Sequence, residues 1–216
     1  GDHRDLHRVD RRQRQMCIRD RIEIYIRDPK QQVRRYRPLF RLCSEPQTME
    51  LPPGEKLYES VFVSYGTDGF YFQEPGEYWL WATYRAGEWQ LRSNALRIRV
   101  AFPQSPAEEE IALRTFGPEQ GHVLYMQGAT HLKNGNEQLQ EVIERFPDTN
   151  LAQHIHLCFG HSQAREFKDL VAGQIRPPRP EAAAQELRRA LTISPRTRQA
   201  ALDNITYGRA VELLAT

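Results

Sequence analysis

The chain has 216 residues, 39% hydrophobic and 27% charged, with 30 basic and 28 acidic side chains for a formal net charge of +2. That is the composition of a globular chain holding one large domain or two small ones, and no apolar run approaches the ~20 residues of a membrane-spanning helix. Residues 1–21 carry seven arginines against four acidic residues, which leaves 23 basic and 24 acidic residues in the rest of the chain, so nothing in its composition supports the broad basic stripe that nucleic-acid binding requires.

Residues 1–21 are rich in Arg, Asp and His and nearly empty of apolar side chains before Met16, Cys17 and Ile18. Such a segment reads as a disordered tail. Gln15 to Arg21 also resembles the translated read-through of a sequencing adapter found in environmental assemblies, and the chain opens on Gly1. The expectation is a fragment whose first 21 residues stand outside the fold. Cys17, Cys43 and Cys158 have no paired spacing, so neither a disulfide framework nor a cysteine-rich zinc motif follows, and no cofactor is expected.

From Ile22 to residue 102 the pattern is short alternating runs broken by Pro and Gly. Ile22, Ile24 and Ile26 alternate with Glu23 and Tyr25. Further runs lie near Val33 to Leu42, at Met49 and Leu51, at Leu57 to Val63 and at Phe70 to Phe72. Tyr78 to Tyr84 is the strongest, and Trp89 to Leu91 and Leu96 to Val100 complete the set. Asp68-Gly69 is a turn signal. About seven short strands with frequent turns predict an antiparallel sandwich. Arg34, Arg35, Arg37 and Arg41 read as a solvated strand face.

Glu74-Pro75-Gly76-Glu77-Tyr78 followed by Leu80, Ala82 and Tyr84 resembles the penultimate strand of bacterial immunoglobulin-like and fibronectin-like domains. The resemblance implies a β-sandwich over residues 22–102 and a Tyr78 hydroxyl bonded back to the backbone at the sheet corner. It implies nothing about function. Strand period places Trp79 and Trp81 on the face opposite Tyr78 and Leu80. Two bare tryptophans are an aggregation hazard, so the helical half or a preceding segment is expected to cover them. The alternative is a platform of Trp79, Trp81 and Trp89 that stacks on a sugar or peptide.

Pro103, Ser105 and Pro106 mark a boundary, and Glu108 to Glu110 supply the acidic first turn of a helix. A second helix is expected over about Glu119 to Leu132, ended by Gly135. Leu139, Val142, Ile143 and Phe146 recur at helical spacing. Pro147 then stops the helix, and Asp148 or Thr149 caps the next one, which carries Leu151, Ile155 and Phe159. Pro177, Pro178 and Pro180 read as a stiff linker before a final pair, Glu181 to Ile193 and Thr197 to Leu214. Leu139, Val142, Ile143, Pro147, Thr149, Ala152 and Gly160 recur 48 residues later as Leu187, Ala190, Leu191, Pro195, Thr197, Ala200 and Gly208. These runs resemble tetratricopeptide repeats of bacterial envelope proteins. The resemblance implies an all-α helical-repeat domain over residues 106–216, in which small residues let paired helices approach.

The densest reactive cluster is His154, His156, Cys158 and His161. His154, Cys158 and His161 share one helix face, the spacing of a partial zinc set. No carboxylate, second cysteine pair or HExxH element accompanies it, so no metal is expected. Nucleophile elbows, phosphate loops and kinase signatures are absent. The sequence therefore predicts a β + α chain with no catalytic residue. Its expected role is a non-catalytic scaffold for a protein or peptide partner, in an exported bacterial protein of the periplasm or cell surface. The competing expectation is an accessory C-terminal region of a larger secreted hydrolase.

Overall fold

The computed structural model describes residues 22–40, 61–86, 88–169 and 173–191. They fall into two compact units, one of residues 22–40 and 66–102 and one of residues 61–65 and 103–191. The expectations for residues 1–21, for the runs at Met49 and Leu57, and for Pro195 onward lie outside the described residues.

Among its described residues the first unit is built on one five-stranded antiparallel sheet. Its strands are β1 (Ile22–Arg27), β2 (Val33–Arg35), β5 (Gly76–Ala86), β6 (Trp89–Arg92) and β7 (Leu96–Val100). The short strands β3 (Tyr65–Gly66) and β4 (Gly69–Phe70) make a separate hairpin. The 11-residue β5 pairs with β1 along one edge and with β6 and then β7 along the other. Alternation sorts the side chains. Ile26, Tyr78 and Leu80 are buried on one face, and the buried rings of Tyr36 and Tyr71 meet edge to face 5.2 Å apart in the same unit. The Tyr78 hydroxyl donates to the Glu74 carbonyl at 2.8 Å and accepts from the Glu74 amide at 3.1 Å. Tyr78 thus fastens the loop that precedes its own strand.

Two stretches depart from the sequence reading. The run from Val33 yields only a three-residue strand, because Pro38 cannot donate to a ladder. Residues 61–63 carry no strand, and the segment 61–65 belongs with the helices.

The second unit holds α1 (Pro106–Thr115), α2 (Pro118–Met126), α3 (Lys133–Arg145), α4 (Asn150–Ala164) and α5 (Pro180–Ala190). Local sequence sets their starts. The Ser105 side chain accepts from the Glu108 amide ahead of Pro106, and the Thr149 hydroxyl accepts from the Ala152 amide at 3.1 Å, the bonds of N-cap residues. The second helix ends six residues earlier than its apolar pattern suggests. Gln127 is left-handed at φ 53° and Gly128 follows at φ 104°, a C-terminal stop. Gly135 does not end a turn; it lies inside α3.

Val123 and Leu124 of α2, Leu139, Val142 and Ile143 of α3, and Ile155 and Cys158 of α4 form one core. Leu157 of α4 packs with Leu187, Ala190 and Leu191 at α5 in a second. Helix α4 is therefore apolar on two sides, as a central helix must be. Leu139 and Leu187, the first equivalent pair of the 48-residue register, are both buried. A Cβ at Gly160 would stand 2.7 Å from Leu187 Cγ, so glycine is what lets α5 sit against α4. Glu110 of α1 pairs with Arg114 and Arg145, and Arg114 also pairs with Glu141, which ties α1 to α3. A short hairpin of β8 (Phe167–Asp169) and β9 (Gln174–Arg176) occupies the stretch before the prolines. The sequence reading places no strand there; its linker is the run Pro177, Pro178 and Pro180 that follows.

Candidate functional site

The face of the sheet opposite Tyr78 carries the predicted Trp79 and Trp81. Cross-strand pairing sets their neighbours, because directly opposed residues share a face. Trp81 opposes Tyr25, Trp79 opposes Arg27 on one side and Arg97 on the other, and Glu77 opposes Arg99. Thr83 opposes Glu23 and Arg92, and Tyr25 opposes Arg35.

A one-residue bulge assembles this set. Arg92 pairs with Thr83 while Leu96 pairs with Leu80, so residues 93–95 stand against only Trp81 and Ala82. The extra residue is held by Ser93, whose amide donates to the Ala82 carbonyl at 2.9 Å and whose hydroxyl accepts from the Ala82 amide at 2.9 Å. A bulge shifts the side-chain alternation by one. Arg92 therefore joins Arg97 and Arg99 on one face. Leu91 joins Leu96 and Ile98 on the other.

The tryptophans are half-buried beneath cations. The Arg92 guanidinium lies 4.6 Å from the centroid of the Trp81 ring, and Arg27 lies 5.4 Å from that of Trp79. Tyr25 stacks on Trp81 with centroids 5.7 Å apart and planes at 12°. Each exposed cation–π contact contributes roughly 0.5–1 kcal/mol. It also holds each guanidinium over its ring; Arg92 is exposed, whereas the Arg27 Nε is buried with no hydrogen-bond partner among the described residues. Within the sheet's own unit, among the described residues, Arg27 lies over Trp79, and Arg92 and Tyr25 lie against Trp81.

Carboxylates already seat in this array. Glu23 accepts from the Tyr25 hydroxyl at 2.9 Å and lies 3.0 Å from Arg35 and 3.3 Å from Arg85. The Tyr25 bond and the two guanidiniums, opposed by partial desolvation, hold its carboxyl below the usual range. Glu77 pairs with Arg97 at 3.6 Å. Arg27, Arg92 and Arg99 have no carboxylate partner among the described residues. Among the described residues the face thus holds six arginines against two glutamates.

Trp89, the third predicted aromatic, is not part of this face. It follows Leu91 in alternation, lies on the Tyr84 side and is 76% exposed. Of the basic run in β2 and beyond, Arg35 joins the tryptophan face, whereas Arg37 pairs with Asp68 at 3.0 Å.

The cluster on α4 separates into distinct environments. His154 stacks on Phe62 with centroids 5.6 Å apart, and its Nε2 is buried with no hydrogen-bond partner among the described residues. Burial lowers its pKa. His156 reaches Glu186 of α5 at 2.7 Å through Nδ1. The Cys158 thiol is fully buried 3.8 Å from the Leu124 carbonyl, and burial pushes it up to about 12, far from the thiolate that metal binding or attack requires. His161 Nδ1 is 3.0 Å from Arg165. Among the described residues, no three His, Cys, Asp or Glu side chains are placed to hold one metal ion, and no helix is long and apolar enough to cross a membrane.

No family model, curated protein or solved structure matches the chain. The sequence reading singled out Trp79 and Trp81 but, of the six arginines, only Arg35, as part of a solvated strand face; the six lie far apart in the chain and meet only through register. The signal was Ser93-Asn94-Ala95 interrupting two alternating runs.

Proposed function

We propose that this chain is a non-catalytic binding and scaffold module for a protein or peptide partner, and that the Trp79/Trp81 face of its sheet is a contact surface. The carrying observation is the array of guanidiniums held over Trp79 and Trp81 in a chain whose overall charge is nearly neutral. Solubility does not require such a concentration of one sign, whereas recognition of a partner of opposite sign does. The Tyr78–Glu74 bonds support an immunoglobulin-like origin for the sheet unit. The close approach at Gly160 and the matched burial of Leu139 and Leu187 support a tetratricopeptide-like helical unit. An exported bacterial protein fits both resemblances. Selection from a random-peptide display library tests the assignment. Sequences enriched on the full chain and lost on an Arg92→Glu/Arg97→Glu variant are expected; the same sequences enriched equally on both would overturn it.

A further inference from the structure

The geometry points to an acidic, extended peptide segment as the partner of the arginine-covered face, its carboxylates seated between guanidiniums as Glu23 is seated now. This deepens the binding reading above and rests on it. Three observations select the ligand chemistry. First, Arg92 and Arg27 already lie over the Trp81 and Trp79 rings, and Tyr25 stacks on Trp81. Nucleobases and pyranose rings need open aromatic faces for stacking, and here guanidiniums occupy them. Second, the face displays its own binding mode. One carboxylate, Glu23, bridges Arg35 and Arg85 at 3.0 and 3.3 Å, one oxygen to each guanidinium, a charge-assisted contact on both sides. Third, Arg92 and Arg99 are exposed and lack a carboxylate among the described residues. They stand along one edge of β5 on the same face as Arg97. Alternate residues of an extended segment point the same way, so acidic residues at every second position of a peptide match a row of this kind.

The experiment is fluorescence anisotropy of the full chain with a labelled oligoglutamate peptide, competed by dextran sulfate or oligothymidylate. Oligoglutamate is expected to bind at low salt and to weaken as salt screens the contact. Arg92→Gln/Arg99→Gln is expected to weaken it about tenfold or more, where tenfold is ~1.4 kcal/mol. A charge-matched pair in the helical unit, Lys168→Gln/Arg189→Gln, is expected to leave it unchanged. No binding of oligoglutamate, or an equal loss in the control pair, overturns the inference. If dextran sulfate or oligothymidylate binds more tightly than oligoglutamate through Arg92 and Arg99, the peptide partner is wrong while the binding face stands. If all three probes ignore Arg92→Gln/Arg99→Gln, the face itself is wrong.

Discussion

Tyr78 shows how one side chain joins a loop to a sheet. Its ring is buried and its hydroxyl satisfies both backbone groups of Glu74. Tyr78→Phe removes both bonds and leaves the Glu74 amide unpaired, a loss of ~1–3 kcal/mol, read as a lower urea midpoint with unchanged slope. His154 makes stability depend on pH. Burial lowers its pKa from the ordinary 6.5, so between the two values the unfolded chain binds a proton that the folded chain does not. Its contribution is therefore fully present above about pH 6.5, declines as the pH falls below that, and is lost by the time the lower folded value is passed. His154→Phe should flatten that part of the stability–pH curve, and an unchanged curve would contradict the assignment. Cys158, with its thiol pushed up to about 12 in the core, should resist a thiol reagent in a Cys17→Ser/Cys43→Ser background until the protein unfolds. Labelling at the rate of a free thiol under native conditions would place it elsewhere.

At the scale of elements, the helices were legible because their caps and stops are local. Ser105, Thr149 and the Gly117-Pro118 pair act on backbone groups within a few residues. The stop at Gln127 was not legible: its left-handed backbone is fixed together with Gly128, above which Ser162 of α4 leaves no room for a Cβ. The hairpin of β8 and β9 was missed because three-residue strands carry too few alternations to show a period. Trp79 and Trp81 were legible as one face from β5 alone, but their arginines required the register of four other strands and the bulge at residues 93–95. Deleting Asn94 removes the extra residue and leaves Arg92, Arg97 and Arg99 on one face in a single regular register, whereas deleting both Asn94 and Ala95 makes either Arg92 or the Leu96–Ile98–Val100 set turn over. A marked fall in the thermal midpoint is expected for the double deletion and a smaller one for the single deletion, and the reverse order would show that no bulge is there. Gly160→Ala should cost ~1–3 kcal/mol by overpacking against Leu187. Combining it with Leu187→Ala should cost less than the two separate losses added together, because the second change empties the space the first one invades.

Across the whole molecule, charge is distributed rather than accumulated. The chain is nearly balanced in sign, yet among the described residues the tryptophan face of the sheet gathers six arginines against two glutamates, while α1 and α3 pair their charges among themselves through Glu110, Arg114, Glu141 and Arg145. A local excess of this kind raises the concentration of anions at its surface. The central claim is that cations cover Trp79 and Trp81, and tryptophan fluorescence reports on it directly. In a Trp89→Phe background, which removes the exposed indole of the opposite face, the remaining emission should be quenched far more by iodide than by caesium. Arg92→Gln/Arg97→Gln should bring the two quenchers together. Equal quenching by iodide and caesium before any arginine is replaced would contradict the account.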